Sequence, residues 1–493
     1  MSPKRGTPKP KRHHPVAAPD FDVVQSRRAP NARRRGAVHV GIDPQARDRG
    51  WQRGRVAERC IVVGVILPHA TRQQGERNLD ELERLVSTAG ATTSARLIQE
   101  RATPDVRTYL GRGKVDELLE MCERCDANLV VFDDTLSPAQ ARNLEKVLER
   151  NVLDRTELIL DIFARHARSR EAKLQVELAQ LEYMRPRLRR LWDHLSRQDG
   201  GIGTRGPGET QLEVDRRRVG EKIAQLRRAL RERERVAATQ RKSRKREFRA
   251  ALVGYTNAGK SSLMNALAGA DLTVENQLFS TLDATTRRMS LSGGAHVLLT
   301  DTVGFIRKLP HNLVASFRTT LSEVVEADLL LHVVDITSGA LAAHIDTVHE
   351  VLGEITDQPR DTFMVFNKMD ALADEALVNM MLRHHPRALF VSARTGAGLS
   401  ELREAVLAHF RARTVDVVLE VLQRASDVLS FCYREGQVQT QGVSADGRPR
   451  VHVHFPDSVF HRLMKLHGAD VCVVETPARG TELQPPAREE KPA

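Results

Sequence analysis

The sequence predicts an α/β protein in three folded parts: an N-terminal α/β domain with a helical hairpin arm, a central domain of mostly parallel sheet with helices on both faces, and a small C-terminal α/β or α+β domain. Three observations lead there. Short apolar runs alternate with helically spaced stretches over residues 59–164 and again over 248–413, the pattern of strands joined by crossover helices. Between them, over 165–247, two long segments carry leucines at three- and four-residue spacing, separated by a run of glycines. After residue 413 short strand-like runs resume, over 414–480.

The bulk figures agree with this division. A length of 493 residues suggests roughly three domains at about 150 residues each. With 41% hydrophobic and 28% charged residues, the chain can bury real cores. It has no run of about 18 uncharged apolar residues, so no membrane insertion is expected. The start, Met1-Ser-Pro-Lys-Arg, lacks the apolar stretch of a secretory leader. A cytoplasmic monomer is the expectation. Residues 1–58 are rich in Pro, Arg and Lys and read as a disordered basic extension; 481–493 read as a disordered tail.

Within the first part, Cys60-Ile-Val-Val-Gly-Val-Ile-Leu reads as a buried strand, and Leu79, Leu82, Leu85 and Val86 mark a helix over Asn78 to Ala89. A strand near Ala95–Glu100, a helix from Lys114, the strand from Leu129, a helix from Pro138 to Arg150 and the short run from Val152 complete it. Cys122 and Cys125 form a CxxC, but no second such pair follows, and the two read as small helix residues one turn apart. No metal is assigned to them.

Leu174, Leu178, Leu181, Leu188, Trp192 and Leu195 line one helix face, and Leu212, Val219, Ile223, Leu226 and Leu230 line a second. An antiparallel hairpin zipped by that seam is the simplest arrangement, with Arg185 and Pro186 bending its first helix. The turn between them, Asp199-Gly-Gly-Ile-Gly203-Thr204-Arg205-Gly206-Pro-Gly-Glu, is richer in glycine than a connection requires. Glycines allow close approach to another backbone, and Arg205 can stack on a base or pair with phosphate.

Charge is distributed unevenly. Residues 1–58 carry about 14 Lys and Arg against 5 acidic residues, and 165–249 about 25 against 12, so these two stretches exceed the whole net charge of +12. Two basic footprints on one chain point to an anionic partner, nucleic acid foremost. In the last part, Val415–Val421, Val451–Phe455 and Val471–Glu475 read as strands and Ser458–His467 as a helix. The alternating His452 and His454 are expected on a solvated strand face.

Ala250-Ala-Leu-Val is an apolar strand running into Gly254-Tyr255-Thr256-Asn257-Ala258-Gly259-Lys260-Ser261-Ser262, with an apolar helix from Leu263. GxxxxGKS in a strand–loop–helix setting is a phosphate-binding loop, whose amides and helix N-terminus form an anion nest. Lys260 would reach the β/γ phosphates and Ser261 a magnesium ion. Downstream, Asp301-Thr302-Val303-Gly304 closes a strand, Asn367-Lys368-Met369-Asp370 closes another, and Ser392-Ala393-Arg394 follows a third. The Asp370 carboxylate can accept both the N1–H and the exocyclic amine of guanine, which selects GTP over ATP. Asp301 would hold the magnesium shell, and the Gly304 amide would sense the γ-phosphate. Phe279-Ser280-Thr281-Leu282-Asp283 with Thr285 and Thr286 offers several switch threonines, among which the residues alone do not choose. Phe305 stands where signalling GTPases place the water-orienting Gln, so intrinsic hydrolysis should be slow.

These residues resemble the HflX family of translational GTPases. The likeness runs from about residue 59 to 413 through Tyr109-Leu-Gly-Arg-Gly-Lys-Val-Asp-Glu-Leu, Leu136-Ser-Pro-Ala-Gln-Ala-Arg-Asn-Leu-Glu, the glycine-rich turn, the phosphate loop and Phe-Ser-Thr-Leu-Asp. The resemblance implies binding to the large ribosomal subunit and ribosomal RNA, and splitting of stalled or hibernating ribosomes under stress. It implies that the tip at Gly203–Gly206 enters near the peptidyl-transferase centre. It also selects Thr281 as the second magnesium ligand beside Ser261, leaving Lys260, Thr281 and Gly304 as the residues closest to the chemistry. A hydrophobic residue at the Phe305 position is typical of the group.

Overall fold

The computed structural model describes residues 58–187, 207–244, 247–269, 278–279, 281–292, 295–308, 323–356, 360–372, 375–422 and 426–475. The expectations placed on 1–57, on Leu188, Trp192 and Leu195, on most of the glycine-rich turn including Gly203, Thr204, Arg205 and Gly206, on Ser280 and on 481–493 lie outside them. Among the described residues no helix is long and apolar enough to cross a membrane.

The first sheet grows from strands β1 (Arg59–Ile66), β2 (Thr92–Glu100), β3 (Leu129–Phe132) and β4 (Asn151–Asp154), ordered β2-β1-β3-β4 and parallel throughout. Helices α1 (Arg72–Thr88), α2 (Arg112–Arg124) and α3 (Pro138–Leu148) alternate with them. Successive residues of β1 feed opposite faces. Cys60 and Val62 meet Leu79, Leu82 and Leu85 on one side, while Ile61 and Val63 share a core with Leu118 and Leu144 on the other. Helix α1 starts six residues before the predicted Asn78, because Thr71 and Gln74 form a capping box ahead of the apolar stripe. Cys122 is buried in the α2 core and Cys125 is the C-cap of that helix.

A further helix, α4 (Arg155–His166), was not anticipated. Leu158, Ile159, Leu160, Ile162 and Phe163 are all buried, while Glu157, Asp161 and Arg165 recur at four-residue spacing along a narrower polar stripe. Helix α5 (Arg170–Met184) then gives way to a 3₁₀ turn at Arg185–Arg187, as the proline suggested. Helix α6 (Pro207–Arg244) packs on α5 through Leu178, Val219, Ile223, Leu226 and Leu230, with Leu174 and Leu181 flanking. Lys222–Glu177 and Arg227–Glu182 ion pairs border this seam.

The second sheet has the order β10-β9-β8-β5-β7-β6, and only the β6–β7 pair is antiparallel. Its strands are β5 (Arg249–Gly254), β6 (Thr285–Ser290), β7 (His296–Asp301), β8 (Leu329–Asp335), β9 (Thr362–Asn367) and β10 (Leu389–Phe390). Helices α7 (Lys260–Ala268), α8 (Leu341–Ile355), α9 (Glu375–His384) and α10 (Leu399–Arg413) complete it. Cores on both faces give the layered arrangement expected. Helix α7 begins at Lys260, three residues earlier than the apolar pattern implied. The third sheet, β12-β13-β11-β14, is antiparallel in every pair, which makes the last part α+β. It comprises β11 (Thr414–Val421), β12 (Gln437–Val443), β13 (Pro449–Pro456) and β14 (Val471–Glu475), with α11 (Ser426–Glu435) and α12 (Asp457–His467) covering its core.

The first two sheets meet at a buried charge network. Arg155, 2% exposed, pairs with Glu81 of α1 and, at 2.8 Å, with Asp133 at the end of β3. Lys308 reaches the same Asp133 at 2.6 Å and Asp134 at 2.5 Å. Tyr255 donates its phenol to Glu81 at 2.6 Å. Replacing Arg155 by Ala leaves Glu81 without its cation and Asp133 with Lys308 alone, and should cost about 3–5 kcal/mol. Chemical denaturation followed at both ends of the chain checks this; an unchanged midpoint would show that the network contributes nothing to stability.

Candidate functional site

The site is built on the ends of parallel strands, where loops gather at the carboxyl edge of the sheet. β5 runs into the loop 254–259, and α7 presents its N-terminus to the cavity. Gly259, the N-cap, has φ of 89°, and a Cβ there would stand 2.3 Å from the Asn367 amide nitrogen. Thr256, Asn257, Gly259, Lys260, Ser261, Ser262, Phe279, Thr281, Thr302 and Gly304 line one cavity. The lysine is buried and folds back onto the loop, donating to the carbonyls of Tyr255 at 2.9 Å and Gly254 at 3.2 Å. Burial lowers its pKa to about 8, with Asp301 opposing that shift.

Three oxygen-bearing side chains converge beside it. Ser261 donates to Asp301 Oδ2 at 2.6 Å, and Thr281 Oγ1 lies 2.8 Å from Ser261 Oγ. Burial pushes the Asp301 carboxyl above its usual range, and its Oδ1 is buried with no hydrogen-bond partner. Thr285 and Thr286 are held elsewhere: both lie in the β6–β7 ladder, and Thr286 bonds Thr300 at 2.9 Å. The geometry therefore separates Thr281 from its two neighbours, a choice the bare sequence left open.

Gly304 sits against the loop, where a Cβ would come within 2.8 Å of Thr256 and 3.1 Å of Lys260 Nζ. The next residue, Phe305, turns its ring into the core, and its backbone pairs with the loop through Thr256 N–H to Phe305 O at 2.8 Å and Phe305 N–H to Gly254 O at 3.1 Å. No polar group at this position faces the cavity.

The second half of the site lies across the loop. Asn367 Nδ2 donates to Ala258 O at 3.0 Å, and Ala393 N–H donates to Asn367 Oδ1 at 3.1 Å. Lys368, with φ of 66°, lays its stem over the loop to reach Asn257 O at 2.9 Å and Asp335 at 2.7 Å. Ser392 donates to Asp370 at 2.5 Å and Arg394 pairs with the other oxygen. The Ser392 hydroxyl, above all, holds the Asp370 carboxyl below its ordinary range. Met369 is exposed. Asp335 was missed, although an apolar run ending in an acid, Leu329-Leu-Leu-His-Val-Val-Asp335, was available as a signal.

Tyr255, Leu282, Asp283 and Val303 do not line the cavity. Tyr255 stacks on His344 at 3.8 Å and joins the Glu81 network, while Leu282 and Val303 are buried. Asp283 accepts from the backbone N–H groups of Arg168 at 3.1 Å and Ser169 at 2.9 Å, and from the Ser169 hydroxyl. Ser169 is the N-cap of α5, so a residue of the switch segment is tied to the first turn of the arm. Phe279 packs edge-on against Phe163 of α4 at 4.6 Å.

Comparison with known proteins now becomes informative. Residues 76–164 match the family described as GTP-binding GTPase N-terminal, 166–244 the GTP-binding GTPase Middle Region, and 249–368 the 50S ribosome-binding GTPase. GTPase HflX of Escherichia coli is 40% identical over 425 residues, covering 85% of this chain and 98% of that protein. This chain belongs to the HflX family of GTPases. GTPase HflX of Flavobacterium psychrophilum is 44% identical over 370 residues, covering 71% of this chain and 89% of its own length. Among solved structures, the crystal structure of an SsGBP and GDP complex aligns at 25% identity and TM-score 0.41, covering 71% of this chain and 98% of that one. The family models together run from residue 76 to 368, over the parts that the Asp283 and Arg155 contacts join.

Hydrogen bonds to a charged acceptor contribute about 1.5–3 kcal/mol. Asp283→Ala should therefore raise amide exchange at Arg168, Ser169 and the first turn of α5 by about 10-fold or more. Hydrogen exchange by mass spectrometry reads this directly; unchanged protection there would mean the contact does not hold the helix start.

Proposed function

We propose that the chain binds GTP at this site, hydrolyses it slowly alone and faster on the large ribosomal subunit, and uses the cycle to split stalled or hibernating ribosomes under stress. GTP favours binding, and hydrolysis permits release. The observation that carries the nucleotide reading is the tie between Asn367 and the Ala258 carbonyl. It sets the Asp370 carboxylate at a fixed place relative to the phosphate loop, with one oxygen bonded by Ser392. A carboxylate so placed accepts two donors from guanine that adenine does not offer together, while Lys368 covers the base with its stem.

At the phosphate end, loop amides from Asn257 to Ser262 and the N-terminus of α7 supply donors for the phosphates. Bound phosphate would draw Lys260 Nζ from the loop carbonyls. Ser261 and Thr281 fit a magnesium ion, with Asp301 behind them: three oxygen donors converge, and one carboxylate oxygen has no partner. The ion would neutralise charge on the β and γ phosphates. Gly304 offers its amide where a side chain would collide with Thr256, and with Lys260 and Thr281 it forms the group nearest the reacting atoms. The apolar Phe305 leaves the attacking water without a partner from its side chain, the basis for slow turnover in isolation.

The ribosomal part is supported by the match to the 50S ribosome-binding GTPase family and by the charge on 165–249. We read 59–164 and 165–247 as one lever, with the turn at Gly203, Thr204, Arg205 and Gly206 as its contact with ribosomal RNA, and 248–413 as its motor.

Exchange of Asp370 for Asn replaces one acceptor by a donor, which opposes the guanine amine and suits the 2-oxo group of xanthine. Affinity for GTP should fall by about 100-fold or more, with a gain for XTP, since two charge-assisted bonds are worth several kcal/mol. Equal loss of both nucleotides in a folded variant would remove Asp370 from base recognition.

GTP turnover with and without large subunits, alongside light scattering of intact ribosomes, tests the whole reading. Stimulated turnover with separation of subunits is expected, and Arg205→Ala should spare nucleotide binding while impairing separation. Tight GTP binding with neither stimulation nor separation would reject splitting and leave a passive GTP-switched RNA-binding factor.

A further inference from the structure

The third sheet carries a cluster that the nucleotide site does not use. Within the β11–β13 pair, Asp416 stands opposite His454 and Val418 opposite His452. Residues two apart on a strand share a face, so both histidines and the aspartate project to one side. That side is the reverse of the domain's apolar core, which is fed by Val415, Val417, Leu419, Val451, Val453 and Phe455. It meets Phe410 at the end of α10, whose ring lies 5.5 Å from that of His454.

A solvated strand face was the expectation for this histidine pair, and the structure corrects it. His454 is 5% exposed, because α10 covers it. Neither of its ring nitrogens has a hydrogen-bond partner. Its Nδ1 lies 3.3 Å from Asp416 Oδ1, close enough for charge contact but outside hydrogen-bond geometry. His452 Nε2 lies 2.6 Å from the same oxygen. One donor atom from each of the three residues falls within 4.8 Å of the others. A buried imidazole with no partner at either nitrogen costs about 1–3 kcal/mol per unmet group, so the arrangement calls for something that nitrogen can bind.

We propose that Asp416, His452 and His454 form a binding site for one divalent cation of the zinc class, at the junction of the C-terminal sheet with α10. Two imidazoles and one carboxylate are the donor set that borderline cations take with a fourth position left open, whereas magnesium and calcium prefer oxygen alone. Donors bound at about 2.0–2.1 Å around a tetrahedral ion are roughly 3.3 Å apart. The His454–Asp416 separation already has that value. The His452–Asp416 contact is shorter, and opens by rotation of a carboxylate that is itself partly exposed. Arg411 is a cationic neighbour of His454. A bound ion would cross-link β11 to β13 beneath α10, and so stabilise the C-terminal part without touching the phosphate loop.

The test uses the full chain, stripped by chelator and held in excess magnesium so that hard-cation sites are filled. Cobalt(II) added in steps should give the intense visible bands of a low-coordinate ion, saturating at one equivalent and bleached by zinc. Asp416→Asn and His452→Asn alter partly exposed side chains and should each weaken binding by more than the roughly 10–100-fold that even an outer-shell change costs. Cys122→Ser with Cys125→Ser should leave it unchanged. Absence of saturable micromolar binding, or binding indifferent to Asp416→Asn and His452→Asn in folded protein, would overturn the proposal. Should either variant misfold, the native chain still decides: micromolar zinc must raise its unfolding midpoint where magnesium does not, and no shift would overturn the site equally.

Discussion

A fully buried arginine is the constraint on which the arrangement of the molecule rests. Arg155 stands at the first position of α4 and satisfies Glu81 and Asp133, while Asp133 also receives Lys308 and Glu81 also receives Tyr255. Charges this deep are costly to desolvate and stay ionised only when each has its partners. The five groups come from α1, the end of β3, α4, the phosphate loop and the segment after Gly304. A rotation of one sheet against the other would strand a charge in the interior, so the network fixes orientation more than it adds stability.

The same contacts bear on dynamics. Tyr255 belongs to the phosphate loop and Lys308 follows Phe305, whose backbone is zipped to that loop. Asp283, two residues past Thr281, holds the start of α5, and Phe279 leans on Phe163. Of the two segments expected to respond to a γ-phosphate, one is bonded directly to the start of α5 and the other reaches α4 through Asp133 and Arg155. Coupling between nucleotide and arm requires a physical link with two arrangements. The contact of Asp283 with Ser169 is a link of that kind between the segment carrying Thr281 and the first amides of α5.

At the base of the arm, Asp154 plays the organising part. It caps α4 through Glu157 N–H at 2.9 Å and accepts from Leu136 N–H at 3.0 Å, Tyr183 OH at 2.6 Å and Arg187 at 3.2 Å. The guanidinium of Arg187 also lies 3.6 Å above the Tyr183 ring. One carboxylate therefore joins the first sheet to α4 and to the end of α5, at the place where that helix passes into a 3₁₀ turn.

By itself the sequence determined what depends on local order along the chain. GxxxxGKS, the strand ending in Asp301, NKxD and SAR are contiguous motifs, and their spacing fixes both the loop geometry and the chemistry each can offer. The alternation of β and α in the first two sheets, and the leucine seam of the arm, were legible for the same reason, since period and capping are written in neighbouring residues. What only the tertiary structure decided involves partners far apart in sequence. Thr281 was separated from Thr285 and Thr286 only when β6 took the latter two into its ladder. Tyr255 and Asp283 carry motif positions, yet contacts with Glu81 and Ser169, more than 100 residues away, turn them toward the first domain. His454 alternates with His452 as a surface residue would, and only the packing of α10 buries it. A residue's burial and its distant charge partners are properties of the folded packing, and no local pattern encodes them.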